Sequence, residues 1–171
     1  MLLIGGGKMK RILALFLLCL MLISCRADTV GKPFLPFTGA TEVTVNAICE
    51  GESSQYIYRS DGSIEFVSPK ELSGYIMRIS SDGAVTLSYE EMSIPLSSYA
   101  GRLLKATRQA LTPSEADIVS IEAEGAGADA LTVVKTDGWT YRFLSDGTPL
   151  SVFGAFDGVS LTLDIVSVTG D

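Results

Sequence analysis

Three cysteines and a complete absence of histidine set the terms for any chemistry in this 171-residue chain. Without an imidazole, the commonest general base near neutral pH and the commonest neutral metal ligand are both missing. A serine nucleophile would then need a lysine or carboxylate base, and no G-x-S-x-G turn is present to hold such a serine. Cys49 alternates with Val43, Val45 and Ala47, a position in which a thiol packs as a small hydrophobe. The acidic pairs Glu50/Glu52, Glu90/Glu91, Glu115/Asp117 and Glu122/Glu124 offer oxygen ligands, yet none has the D-x-[DN]-x-[DN]-G spacing of a calcium loop. They read as solvated turns and strand ends. Gly125-Ala126-Gly127-Ala128-Asp129-Ala130 fits the loose dinucleotide pattern G-x-G-x-x-A, which requires a helix after it; a strand pattern follows instead. No catalytic set, metal site or cofactor site emerges, and the chain is not expected to be an enzyme. Among the aromatic residues on strands, Trp139 and Tyr141 are the candidates for a ligand-lining pair, because an indole directly after a hairpin turn is often partly exposed.

The remaining cysteines belong to the amino-terminal segment. Lys8, Lys10 and Arg11 precede an uninterrupted apolar run, Ile12 to Ile23, which has the length of a signal peptide and is short for a transmembrane helix. Met9 opens MKRILALFLL, a more usual start for such a leader than MLLIGGGK. The run ends in Leu22-Ile23-Ser24-Cys25, which resembles the bacterial lipobox. The resemblance implies lipid transfer to the Cys25 sulfur and cleavage before it, leaving 1–24 as signal peptide. Two acyl chains hold a protein on a bilayer where one does not, each buried methylene contributing about 0.8 kcal/mol. The expected location is therefore the outer face of the bacterial cell membrane, or the outer membrane if the cell has one. With Cys19 removed and Cys25 acylated, Cys49 has no partner for an internal disulfide. Residues 25–38 carry Gly31, Pro33 and Pro36 and read as an extended tether, although Phe34, Leu35 and Phe37 are apolar enough for part of it to pack back on the domain.

From Cys25 onward 10 basic residues face 20 acidic ones, a net charge of −10. An acidic surface disfavours nucleic acid, and it is repelled by anionic lipid, so membrane contact rests on the anchor. The elements from 39 to 171 read as one domain. Five Asp-Gly pairs, at Asp61, Asp82, Asp137, Asp146 and Asp157, punctuate short alternating runs and predict tight hairpins. The expected inward-facing sets are Val43/Val45/Ala47/Cys49, Ile64/Phe66, Met77/Ile79, Val85/Leu87/Tyr89 and Met92/Ile94/Leu96, then Leu131/Val133, Trp139/Tyr141/Phe143, Leu150/Val152 and Val159/Leu161/Leu163/Ile165. One break occurs at Ser98 to Leu111, where Tyr99, Leu103, Ala106, Ala110 and Leu111 form a helical stripe, with Ser97 or Ser98 as cap and Pro113 as terminator. The fold class is α+β and mostly antiparallel: a curved, half-barrel-like meander sheet with one or two helices packed on one face. Whether the helix fills that face or leaves an apolar groove is not legible in the pattern.

The lipobox, the tether ending in Phe37-Thr38-Gly39, and the segment Phe66-Val67-Ser68-Pro69-Lys70-Glu71-Leu72-Ser73-Gly74 between strands resemble small clostridial-type lipoproteins related to the LolA/LolB lipoprotein-carrier superfamily. That resemblance implies a half-barrel with helices on its concave side, a fold that binds acyl chains in several relatives. The carriers place a long helix before their first strand, where this chain has the proline-bearing tether. The expectations are a non-catalytic binder of an apolar small molecule or lipid or, in another class, a structural or sensory module that docks an envelope protein.

Overall fold

The computed structural model describes residues 37–80, 82–97, 101–127 and 130–170. The sets of alternating residues form eleven strands: β1 (Ala40–Cys49), β2 (Glu52–Arg59), β3 (Ile64–Ser68), β4 (Ile76–Ile79), β5 (Val85–Tyr89), β6 (Met92–Leu96), β7 (Ile118–Glu124), β8 (Leu131–Thr136), β9 (Trp139–Phe143), β10 (Pro149–Phe156) and β11 (Val159–Gly170). A helix, α1 (Arg102–Leu111), and a single 3-10 turn at Glu115–Asp117 lie between β6 and β7. All strands join one sheet in the order β6-β5-β4-β3-β2-β1-β11-β10-β9-β8-β7, and every adjacent pair is antiparallel. The chain thus starts at the centre, meanders out to the β6 edge, crosses to the β7 edge, and meanders back until β11 closes on β1.

Each of the five Asp-Gly pairs lies between consecutive paired strands, as local turn chemistry requires. Asp61, Asp82 and Asp146 also accept backbone N–H bonds from Ser63, Ala84 and Thr148, two residues on, the local contact that favours aspartate in turns. Two further tight hairpins, β1–β2 and β5–β6, carry no such pair. They turn at Glu50 and Glu90, both with φ near +51°.

Bulges in β1, in β7 and at the β2–β3 and β9–β10 pairings coil the sheet. In a flat sheet six spacings of roughly 4.8 Å would set β4 and β9 almost 30 Å apart. Instead Ile79 of β4 and Trp139 of β9 line one cleft, so the sheet curls around α1. The concave face carries the core: Val43, Val45 and Ala47 of β1, Tyr56 and Tyr58 of β2, Tyr141 of β9, Val152 of β10, and Leu161 and Leu163 of β11. Phe37, just ahead of β1, joins this core.

Helix α1 is amphipathic, and it is the connection from one sheet edge to the other, so its apolar side must cross the concave face. It packs on β10, β11 and β4. Its buried residues are Leu104, Ala106, Thr107, Ala110 and Leu111, a wider arc than the predicted stripe, because strands close on it from both sides. Leu103 is half-buried, Leu104 is fully buried, and Tyr99 lies outside the described residues. The N-cap is Gly101, without a side-chain cap, and not Ser97 or Ser98. Glycine is needed there for a different reason: a Cβ would stand 2.6 Å from Val85 Cγ2, so only a bare backbone lets the first turn meet β5. At the other end Thr112 donates both its N–H (3.0 Å) and its hydroxyl (2.6 Å) to the Arg108 carbonyl before Pro113 stops the helix.

Three expectations about facing need correction. Met92 and Ile94 share the concave side with Leu87 but are 65% and 56% exposed, since α1 does not reach the β6 edge. In β8 the core residue is Val134, paired with Tyr141; Leu131 and Val133 face the convex side, where Val133 is buried beside Arg142. Trp139 is only 4% exposed despite following a turn. It pairs with Gly154, whose hypothetical Cβ would stand 2.8 Å from the indole Cε3, so the ring lies over the one position of β10 with no side chain.

Candidate functional site

The residue that joins helix to sheet is Thr107. Its hydroxyl shares a buried 2.6 Å hydrogen bond with the Tyr56 hydroxyl, satisfying two polar groups in an otherwise apolar layer. Burial pushes the Tyr56 phenol far above its ordinary value, the bond to Thr107 only partly opposing it. This contact sets the height at which α1 rides above β2, and so decides what space remains beside the helix.

That space is a cleft of about 460 Å³ along the flank of α1 that faces β8 and β9. Its floor is aromatic, with Trp139 and Tyr141 of β9 and Phe156 of β10, and Ile79 closes one end. The helix wall presents Lys105, Arg108 and Gln109; the opposite rim presents Asp117 of the 3-10 turn, Thr136, and Asp137 of the β8–β9 turn. Thus Trp139 and Tyr141, the two candidates from the sequence, are brought side by side in the cleft floor, both almost fully buried.

Tyr141 differs from Tyr56 in one respect. Its hydroxyl is buried and has no hydrogen-bond partner. Thr136, whose hydroxyl donates to the Trp139 carbonyl at 3.4 Å, lies near enough to lower the Tyr141 phenol, an effect larger than that of Asp117. Burial, with a further contribution from the Asp117 carboxylate, pushes the Tyr141 phenol up to about 12, so it stays a neutral donor over the working pH range. A buried hydroxyl without a partner costs on the order of 1–3 kcal/mol.

The other sequence candidates fall elsewhere. Leu22, Ile23, Ser24 and Cys25 lie outside the described residues. Gly125 and Gly127 belong to the β7–β8 connection, with no helix ahead of the next strand among the described residues. Glu50 accepts the Ser160 N–H at 2.8 Å and so ties two turns together. Glu122 pairs with Lys135 at 2.9 Å and Glu124 with Arg142 at 3.3 Å on the convex face. Asp117 completes a capping box by accepting the Ser114 N–H at 3.1 Å. Cys49 is half-buried at the end of β1, its thiol pushed up by burial and, after that, by the Glu50 carboxylate. Sequence reasoning missed Lys105, Arg108 and Asp137 as one group. The sole trace of the first two was their position off the apolar stripe.

No protein-family model matches the sequence, and none of the curated proteins matches it. Solved structures do align with the chain. The Mycobacterium tuberculosis lipoprotein LppX is 14% identical with a TM-score of 0.43, covering 77% of this chain and 88% of its own. A putative outer membrane lipoprotein-sorting protein domain from Vibrio parahaemolyticus is 10% identical with a TM-score of 0.33, covering 78% and 86%. A LolA superfamily protein from Nitrosomonas europaea is 11% identical with a TM-score of 0.31, covering 77% and 87%. The last of the three bears the name of the superfamily that the sequence resembles. The likeness is one of strand layout, and the site stands on its own geometry.

Proposed function

We propose that the protein is an extracytoplasmic lipoprotein, held on the outer face of a membrane by lipid on Cys25, whose domain binds an apolar or amphiphilic small molecule in the cleft beside α1 and catalyses no reaction. The observation that carries the reading is the aromatic-floored cleft of about 460 Å³ with the unpartnered Tyr141 hydroxyl buried at its base. Its volume lies within the range of about 300–1,000 Å³ typical of small-molecule sites. A curled sheet with a single covering helix is a suitable carrier of such a cleft, because the helix seals the middle of the concave face and leaves its flank open.

The test is mass spectrometry of apolar molecules that co-purify with the mature chain, exported with Cys25→Ser behind an ordinary secretory leader and isolated without detergent. Stoichiometric amphiphile, lost in a Gln109→Trp variant that fills the cleft, is the expected result. A clean protein would favour the second reading, a module that docks an envelope protein. The observation in its favour is the pair Met92 and Ile94, exposed on β6 at the sheet edge.

A further inference from the structure

The charges that line the cleft are two of each sign, and they are sorted by wall. Lys105 and Arg108 stand on the helix; Asp117 stands in the 3-10 turn before β7 and Asp137 in the turn after β8. Basic residues are scarce in the exported part, yet α1 carries three of them and no acidic residue. Arg102 reaches Asp157 at 3.5 Å, outside the cleft lining. Lys105, Arg108, Asp117 and Asp137 take part in none of the ion pairs among the described residues. Between the walls lie the rings of Trp139 and Tyr141, surfaces to which a cationic group is drawn by the ring quadrupole.

We infer that the cleft takes a single-chain amphiphile with a zwitterionic head, its anionic group held by Lys105 and Arg108 and its ammonium group by Asp117 and Asp137 beside the Trp139 ring. This rests on the ligand-binding reading and adds the class of ligand. An anionic head would be attracted by the helix wall but repelled by the two aspartates; a neutral head would leave all four charges without a counterpart.

Trp139 is the single tryptophan of the chain and lies in the cleft floor, so its emission reports occupancy there. The experiment titrates the mature Cys25→Ser chain with four amphiphiles of one tail length, each below its micelle concentration: lysophosphatidylcholine, lysophosphatidylglycerol, a monoacylglycerol and an alkyltrimethylammonium salt. The expected result is that the zwitterion binds about tenfold tighter than the other three, a gain of about 1.4 kcal/mol from charge-assisted contacts. Lys105→Gln with Arg108→Gln shifts the preference to the cation, and Asp137→Asn with Asp117→Asn shifts it to the anion. Asparagine suits both a tight turn and a helix cap, so the second pair keeps the local structure. Equal affinity for all four probes, or a wild-type preference for the anion, overturns the zwitterion inference and leaves the binding reading in place. No change in Trp139 emission with any probe overturns both.

Discussion

The hydroxyls of Tyr56 and Thr107 are buried in the core and satisfy each other there. Thr107→Val removes one partner of the Tyr56 hydroxyl and leaves the other buried and unsatisfied, so unfolding free energy measured in urea should fall by about 1–3 kcal/mol. Tyr56→Phe should cost less, since the Thr107 hydroxyl has its own helix carbonyls within reach as acceptors. Burial holds Tyr56, Tyr58 and Tyr141 above the ordinary tyrosine value, and that fixes the alkaline limb of the stability curve. Their contribution is fully present below about pH 10, where folded and unfolded chains are both protonated. It is lost from pH 10 upward to about 12 for Tyr141, as the unfolded chain releases protons that the folded one retains. Stability measured from pH 8 to 11 should be flat and then decline, and Tyr141→Phe should make the decline shallower. Cys49 was legible as a structural thiol, because alternation with Val43, Val45 and Ala47 needs only the pleat. Thr107 was not, because a threonine on a helix says nothing of a tyrosine fifty-one positions away.

At the scale of elements, hairpins were the most legible features and the helix surface the least. An Asp-Gly turn is decided within four residues, so all five are where local chemistry puts them. Period two correctly places Met92, Ile94 and Leu87 on one side, yet it cannot tell whether anything covers that side; the reach of α1 decides it. In β8 two adjacent valines leave the face open, and the pairing of Val134 with Tyr141 resolves it. Close approach depends on glycine at two positions. Gly154→Ala would drive a Cβ to 2.0 Å from the Gly138 carbonyl oxygen and 2.8 Å from the Trp139 ring. We expect a loss at the upper end of about 1–3 kcal/mol, with a red shift of Trp139 emission as the indole leaves its seat. Gly101→Ala should be rescued in part by Val85→Ala, because the clash is with that one side chain; a double-mutant cycle in denaturant measures the rescue.

For the whole molecule, the connection from the β6 edge to the β7 edge explains why one helix of ten residues suffices to close the core. Any chain that leaves one edge of a curled sheet and re-enters at the other is drawn across the concave face, where an amphipathic helix buries its apolar side most fully. The described residues form one compact unit, with Phe37 packed in its core. The proposed anchor is tested by intact mass of the protein extracted from membranes. The expected chain begins at Cys25 and carries acyl mass, and Cys25→Ser removes that mass and the membrane association together. A chain that begins elsewhere and carries no lipid would refute the anchor while leaving the cleft reading untouched.

The order of turns, the antiparallel class, the single break for a helix and the absence of a histidine-based site were all settled by residue types and short-range spacing, because each follows from interactions within a few positions. The curl of the sheet, the burial of Trp139 over Gly154, and the gathering of Lys105, Arg108, Asp117 and Asp137 around one cleft were decided only by the tertiary structure. Those depend on bulges and on pairing across long stretches of chain, and a charge on a helix acquires a meaning only when a wall of the opposite sign is folded to face it.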